Sequence, residues 1–248
     1  MSLLKIASMA CIALTLGACQ SLFQPGQLKP LDVTTDKSEQ IKPGCGSPDC
    51  PLVNIDTVHF PADPQLDKLV EQRLLQMTRT TPGASVPATL NAYRDTFLRE
   101  SPDRHSMYLQ AKVREQHDGL VIVEVSSYLD TGVAHGEPGR GFINYSRVLH
   151  KELGLADMLL PGQEQAFWNT AKVAHNSWLI NTKMDRDPEF VKNWPFQKTP
   201  NVALTSGGVV LKYNVTTIAP YAQGLIEITI PYARLTGVIK PELMPARH

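Results

Sequence analysis

Met107-Tyr108-Leu109-Gln110-Ala111-Lys112-Val113, a turn at His117-Asp118-Gly119, then Leu120-Val121-Ile122-Val123-Glu124-Val125: the reading of this stretch decides the fold class. Met107, Leu109, Ala111 and Val113 alternate with polar neighbours, the period of two that a strand with one buried face requires. Asp-Gly supplies the backbone freedom of a tight turn, and the run after it is apolar enough for a strand inside a sheet. The pattern predicts an antiparallel hairpin.

Working outward toward the N-terminus, Val53, Ile55 and Thr57 alternate as a strand. Asp63 and Pro64 then suit the cap and first turn of a helix whose Leu66, Leu69, Val70, Leu74 and Met77 share one face. After Pro82-Gly83, the set Val86, Leu90, Tyr93 and Phe97 predicts a second amphipathic helix. Toward the C-terminus, Gly141 to Leu149 reads as a third strand of this group. Phe167, Ala171, Ala174 and Trp178 mark a helix from about Gly162 to Ile180. Val209, Leu211, Tyr213 and Val215 alternate, as do Ile226, Ile228, Ile230 and Tyr232, giving two more strands. Strand groups joined by short turns predict an α+β fold, an antiparallel sheet with helices packed on one face, in a single domain over residues 52–248.

Ahead of that domain, Lys5 precedes an uncharged run of 11 residues, Ile6 to Leu16, closed by Leu16-Gly17-Ala18-Cys19. A basic residue, a short apolar run and small residues are the layout of a secretory signal, and the run is too short to span a bilayer. The expectation is a lipoprotein signal over residues 1–18, with the Cys19 thiol as the lipid attachment point. Gln20 stands where an aspartate would favour the inner membrane, which points to the outer membrane, facing the periplasm. Residues 19–51 carry Pro25, Pro30, Pro43, Pro48 and Pro51 among mostly polar neighbours and read as a tether. Within it, Cys45-Gly46-Ser47-Pro48-Asp49-Cys50 suits a disulfide in an oxidising compartment, worth about 2 kcal/mol for so small a loop. A zinc site would need two further soft ligands, and the seven histidines are scattered, so no metal or cofactor is expected.

Without residues 1–18 the chain has 230 residues, with 23 basic against 24 acidic side chains. That balance gives no field to attract nucleic acid. Enzyme motifs are missing too: there is no Gly-x-Ser-x-Gly, His-Glu-x-x-His, phosphate loop or dinucleotide fingerprint.

Two stretches stand out as candidate contact surfaces. Between two strands, Tyr128 to Gly141 holds four glycines with His135, Glu137 and Arg140. The glycines permit positive φ and close backbone approach, and His135 and Arg140 offer donors, so His135, Gly136, Glu137 and Arg140 are candidate ligand-binding residues. The other reading is a tight crossover in which the glycines only let strands pass. Asn181 to Asn201 interleaves Phe190, Trp194 and Phe196 with charges. Trp194 is the candidate there, although loop aromatics also fold back to cover a core.

Tyr128 to Gly136, Leu153-Gly154-Leu155-Ala156-Asp157-Met158-Leu159, and Ile218-Ala219-Pro220-Tyr221-Ala222-Gln223-Gly224 with the strand and Pro231-Tyr232-Ala233-Arg234-Leu235 after it resemble the extracellular RsiV-like domain. That domain occurs in anti-sigma factors that sense lysozyme and in some cell-wall polysaccharide deacetylases. The resemblance covers roughly residues 53 to 236, and its most specific pieces are Ala134-His135-Gly136 and Ala219-Pro220-Tyr221…Gly224. Val133 and Thr216-Thr217 depart from the pattern. No cytoplasmic sigma-binding segment is present, so an anti-sigma role does not carry over. The resemblance implies a non-catalytic module facing the cell wall, with Tyr221 added to the candidate contact residues. The expected function is binding of a cell-envelope ligand, a lysozyme-like protein or peptidoglycan, by a lipid-anchored protein. The alternative is a cell-wall hydrolase or deacetylase-associated enzyme using Asp130, His135 and Glu137.

Overall fold

The structure, a computed structural model, describes residues 28–79, 81 and 83–245. The expected signal segment and Cys19 lie outside the described residues. A large sheet contains β1 (Thr34–Ile41), β2 (Leu52–His59), β3 (Ser106–His117), β4 (Leu120–Asp130), β5 (Glu137–Ser146) and β6 (Lys151–Glu152), hydrogen-bonded in that order. A small sheet holds β7 (Val202–Thr205), β8 (Gly208–Tyr213) and β9 (Ile226–Ile230). The helices are α1 (Pro64–Gln76), α2 (Leu90–Glu100), α3 (Leu155–Met158), α4 (Glu164–Thr182) and α5 (Pro188–Asn193).

The predicted hairpin is β3–β4. Its two-residue turn places Asp118 and Gly119 at φ 45° and 75°, the left-handed pair that matches the twist of adjoining strands. A bulge between Val113 and Glu115 shifts the register midway along β3. All pairings are antiparallel except β2–β3. Here α1 and α2 fill the connection and return the chain to the starting end, so the next strand runs parallel. The Asp63 carboxylate caps α1 by accepting from the Leu66 amide at 3.1 Å.

Two cores flank the large sheet. On one face Val53, Ile55, Met107, Leu109, Val121, Val123 and Ile143 meet Leu66, Val70 and Leu74 of α1 and Leu98 of α2. On the other, Leu120, Ile122 and Phe142 join the residues of the small sheet and Phe167, Trp168 and Ala171 of α4. Every residue of β8 is buried. The order through the molecule is therefore α1 and α2, large sheet, small sheet, α4.

Side chains of the large sheet satisfy the β7 backbone. Buried Asn144 donates from Nδ2 to the Val202 carbonyl at 2.7 Å and accepts from the Leu204 amide at 2.8 Å. Glu115 accepts from the Ser206 amide at 2.6 Å, and His117 Nε2 lies 2.8 Å from the Leu204 carbonyl. Buried backbone groups left unpaired are costly, so these contacts fix how the two sheets meet.

The tether expected over residues 19–51 is corrected in its described part. Thr34–Ile41 is β1, paired with β2 from Thr34↔His59 to Ile41↔Leu52. Seven of its eight residues are exposed, so no apolar period announces it. Backbone hydrogen bonds to the edge of β2 hold it instead. The Cys45–Cys50 disulfide, as expected, staples the connection between these strands.

Candidate functional site

Past Val125 the β4–β5 ladder continues while the small sheet stops covering it. Tyr128 pairs with Pro138, and Leu129 with Glu137. Residues 131–136 form the loop between them, started by Asp130, whose Oδ1 accepts from the Gly132 amide at 2.8 Å. Gly132 turns at φ 73°. Gly136 is buried beneath the Tyr128 ring, where a Cβ would sit 2.3 Å from Cζ. No other residue fits without moving that ring. Tyr108 on β3 tilts against Tyr128 at 6.3 Å between centroids.

A second segment reaches the same place from the C-terminal part of the chain. Ile218 and Ala219, both buried, root it in the second core. Pro220 leads into a 3₁₀ turn at Tyr221–Gln223, closed by Gly224 at φ 67°. The His135 and Tyr221 rings stack at 4.6 Å with 24° between planes. The two segments, each a candidate from sequence, therefore converge. Around the stack Val133 is 68% exposed and Tyr108 41%, leaving a protruding strip of apolar and aromatic surface.

Arg140 and Glu137 have other positions. Arg140 is half-buried and donates to the carbonyls of Ser127 and Gly139 at 3.2 and 2.7 Å. Burial lowers its pKa, opposed by the charge of Glu124, and its bonds brace the β4–β5 ladder. Glu137, with Tyr93, Phe97, Met107 and Leu129, lines a cavity of about 560 Å³ on the α1–α2 face. The strand places it on the opposite side from Tyr128, so it does not join His135.

Trp194 is half-buried at the C-cap of α5, outside the His135–Tyr221 stack. Its neighbours follow the fold-back reading: Phe190 and Phe196 pack against the second core, with Phe196 at 6.5 Å from Trp168 and 5.6 Å from His175.

Two features had weak sequence signals. Between the sheets Arg114 forms a bidentate pair with Glu227 at 2.8 Å, and Lys212 reaches Glu124 and, at 2.9 Å, Glu227. Both cations lie 5.6 Å from the centre of the Phe142 ring. The hydrogen bond from Arg114 holds the Glu227 carboxylate down at a pKa of about 2, with Lys212 adding to it. Lys212 and Glu227 are cross-strand partners, and polar residues on alternating strands read as solvent-facing until a second sheet covers them. His175 on α4 is 2% exposed, and neither ring nitrogen has a hydrogen-bond partner. Burial pushes its pKa down. Its signal was a polar residue on the face marked by Phe167, Ala171 and Trp178. Among the described residues no group of three or more His, Cys, Asp or Glu side chains could hold a metal ion.

Residues 156–233 match the model of a protein family described as being of unknown function, DUF3298. No curated protein matches the chain. Among solved structures, the chain is similar to a DUF3298 family protein from Pseudomonas aeruginosa PAO1, at 58% identity and a TM-score of 0.85, over 88% of this chain and 99% of that one. It also resembles a DUF3298 family member from Bacteroides fragilis NCTC 9343 in fold, at 18% identity and a TM-score of 0.66, over 89% of this chain and 96% of that one. A relative this similar, spanned almost end to end, settles the family from which the site must be read: the chain belongs to DUF3298.

Proposed function

We propose that this protein is a lipid-anchored binding protein of the cell envelope, an RsiV-like recognition module attached through Cys19 and facing the periplasm from the outer membrane. Its partner is a wall-directed protein of the lysozyme type. The observation that carries this reading is the stack of His135 on Tyr221, which makes one contact surface from two segments distant in the sequence. The strip stands on the continuous β4–β5 ladder, so little ordering is needed when a partner docks. Exposed aromatic and apolar side chains on such a base suit a protein cleft, where a few large residues supply most of the affinity. The leader-like layout ahead of Cys19 and the oxidised Cys45–Cys50 pair fit a compartment outside the cytoplasm.

The test is muramidase activity of a lysozyme titrated with protein lacking residues 1–18. Inhibition at saturation, weakened at least tenfold by His135→Ala or Tyr221→Ala, is the expected result. Undiminished activity with no complex by size exclusion rejects the protein partner. Sedimentation with insoluble peptidoglycan, lost in the same two variants, would instead assign the surface to a glycan.

A further inference from the structure

The small sheet ends on an open strand. β9 pairs with β8 on one side. Among the described residues, no backbone hydrogen bond from outside the sheet occupies its other edge. Ile226, Ile228 and Ile230 face the core. Beside that edge α4 presents Val173, Ser177, Trp178 and Asn181, and the two elements enclose a groove of about 350 Å³ that ends at Arg234. Natural sheets blunt exposed edges with protruding charges, bulges or proline within the strand. Here Pro231 comes only after the strand, and the one charged side chain of β9, Glu227, is drawn into the pairs with Arg114 and Lys212.

We infer that the groove between β9 and α4 takes an extended peptide segment, added as a fourth strand to the small sheet, with apolar side chains on Val173 and Trp178 and a carboxylate at Arg234. Charge selects the class of segment. Glu124 and Glu227 are balanced by Arg114 and Lys212, whereas exposed Arg234 has no acidic partner among the described residues. The groove therefore carries a net positive end. A strand edge supplies donors and acceptors to any peptide backbone, and the pockets beside it choose alternate side chains. Five residues of β9 offer about 17 Å of edge at the rise of a strand, so the recognised segment is about five residues long. This surface is separate from the His135–Tyr221 strip and does not depend on what that strip binds.

The probe is a fluorescein-labelled hexapeptide of alternating valine and threonine ending in a free carboxylate, titrated with the chain lacking residues 1–18 and read by anisotropy. Saturable binding and slowed amide exchange in β9 are expected. Arg234→Glu should weaken it about fivefold, the scale of one exposed ion pair lost and a like charge introduced. The amidated peptide should respond less to that variant. A version with proline replacing the central valine should not bind, and Tyr221→Ala should leave the affinity unchanged. Val173→Arg, on the exposed side of α4, provides a second block that leaves the core intact. Three outcomes overturn the inference: no binding at millimolar peptide, binding indifferent to both Arg234→Glu and the proline substitution, or β9 amides already protected in a dimer of the free protein, which would make a second copy the occupant.

Discussion

Strands β4 and β5 pair along their whole length, yet their two halves lie in different surroundings. From Leu120 to Val125 and from Gly141 to Tyr145 they are enclosed, with α1 and α2 on one face and the small sheet on the other. From Ser126 to Asp130 and from Glu137 to Arg140 the small sheet is gone, every residue but Ser127 is at least partly exposed, and the ladder ends in the exposed Val133–His135 loop. The register is continuous between the halves. The enclosed half supplies the folding energy, and the open half inherits its rigidity through backbone pairing without a core of its own. Placing the proposed contact loop on such a base keeps it ordered while freeing its side chains from packing duty.

That division can be broken or sharpened by substitution. The largest loss of stability is expected from Asn144→Ala in the enclosed half, which strands the Val202 carbonyl and Leu204 amide without partners. About 3 kcal/mol is expected from two buried backbone groups left unpaired, measured by urea unfolding. A loss below about 1 kcal/mol would mean that the two Asn144 hydrogen bonds do not help to hold the sheets together. Gly136→Val comes next, at about 2 kcal/mol for overpacking against Tyr128. It should also displace His135 from Tyr221, seen as a change in the histidine ring resonances.

Acid should act mainly between the sheets. Glu227 lies at about 2 in the fold against an ordinary 4.5. Its contribution is therefore present above 4.5 and lost as pH falls toward 2, with the unfolded chain binding the extra proton. Solvent access discounts the full linkage value to about 1 kcal/mol, and Glu227→Gln should flatten that part of the stability curve. His175 works in the same direction at higher pH. Its folded pKa is lowered from 6.5, so the unfolded state takes up the proton first and stability falls as pH drops below about 6.5. His175→Leu should remove that slope and be neutral or stabilising at pH 7, because the ring nitrogens have no partners to lose. The smallest effect on stability belongs to His135→Ala, within about 0.5 kcal/mol for an exposed position, and Tyr221→Ala, half-buried, should cost about 1 kcal/mol at most. A larger loss would show that the stack supports the fold.

Much of the enclosed half was legible in the sequence. Alternation in Met107–Val113 and the Asp118-Gly119 turn gave the hairpin, and Asp63-Pro64 marked the start of α1, because each signal is local. β7 was not legible: its Val202-Ala203-Leu204-Thr205 is short and buried throughout, so it shows no alternation. The split into two sheets escaped for a related reason, since the partner of Lys212 or Asn144 depends on which layer covers it. At the site, His135 and Tyr221 could each be chosen from glycine, proline and aromatic content, but their meeting is a tertiary fact with no local signature. Arg140 and Glu137 looked equivalent to His135 in the loop. Strand alternation sends Glu137 to the helix side, and local carbonyls engage Arg140.

β1 carries a practical consequence. Eight positions, Thr34–Ile41, hold their place by main-chain pairing while seven side chains point into solvent. An epitope or a single labelling cysteine could be written into this strand with little thermodynamic penalty, proline being excluded only where the amide bonds to β2. A fluorophore placed there would report the orientation of the whole body without touching either proposed docking face.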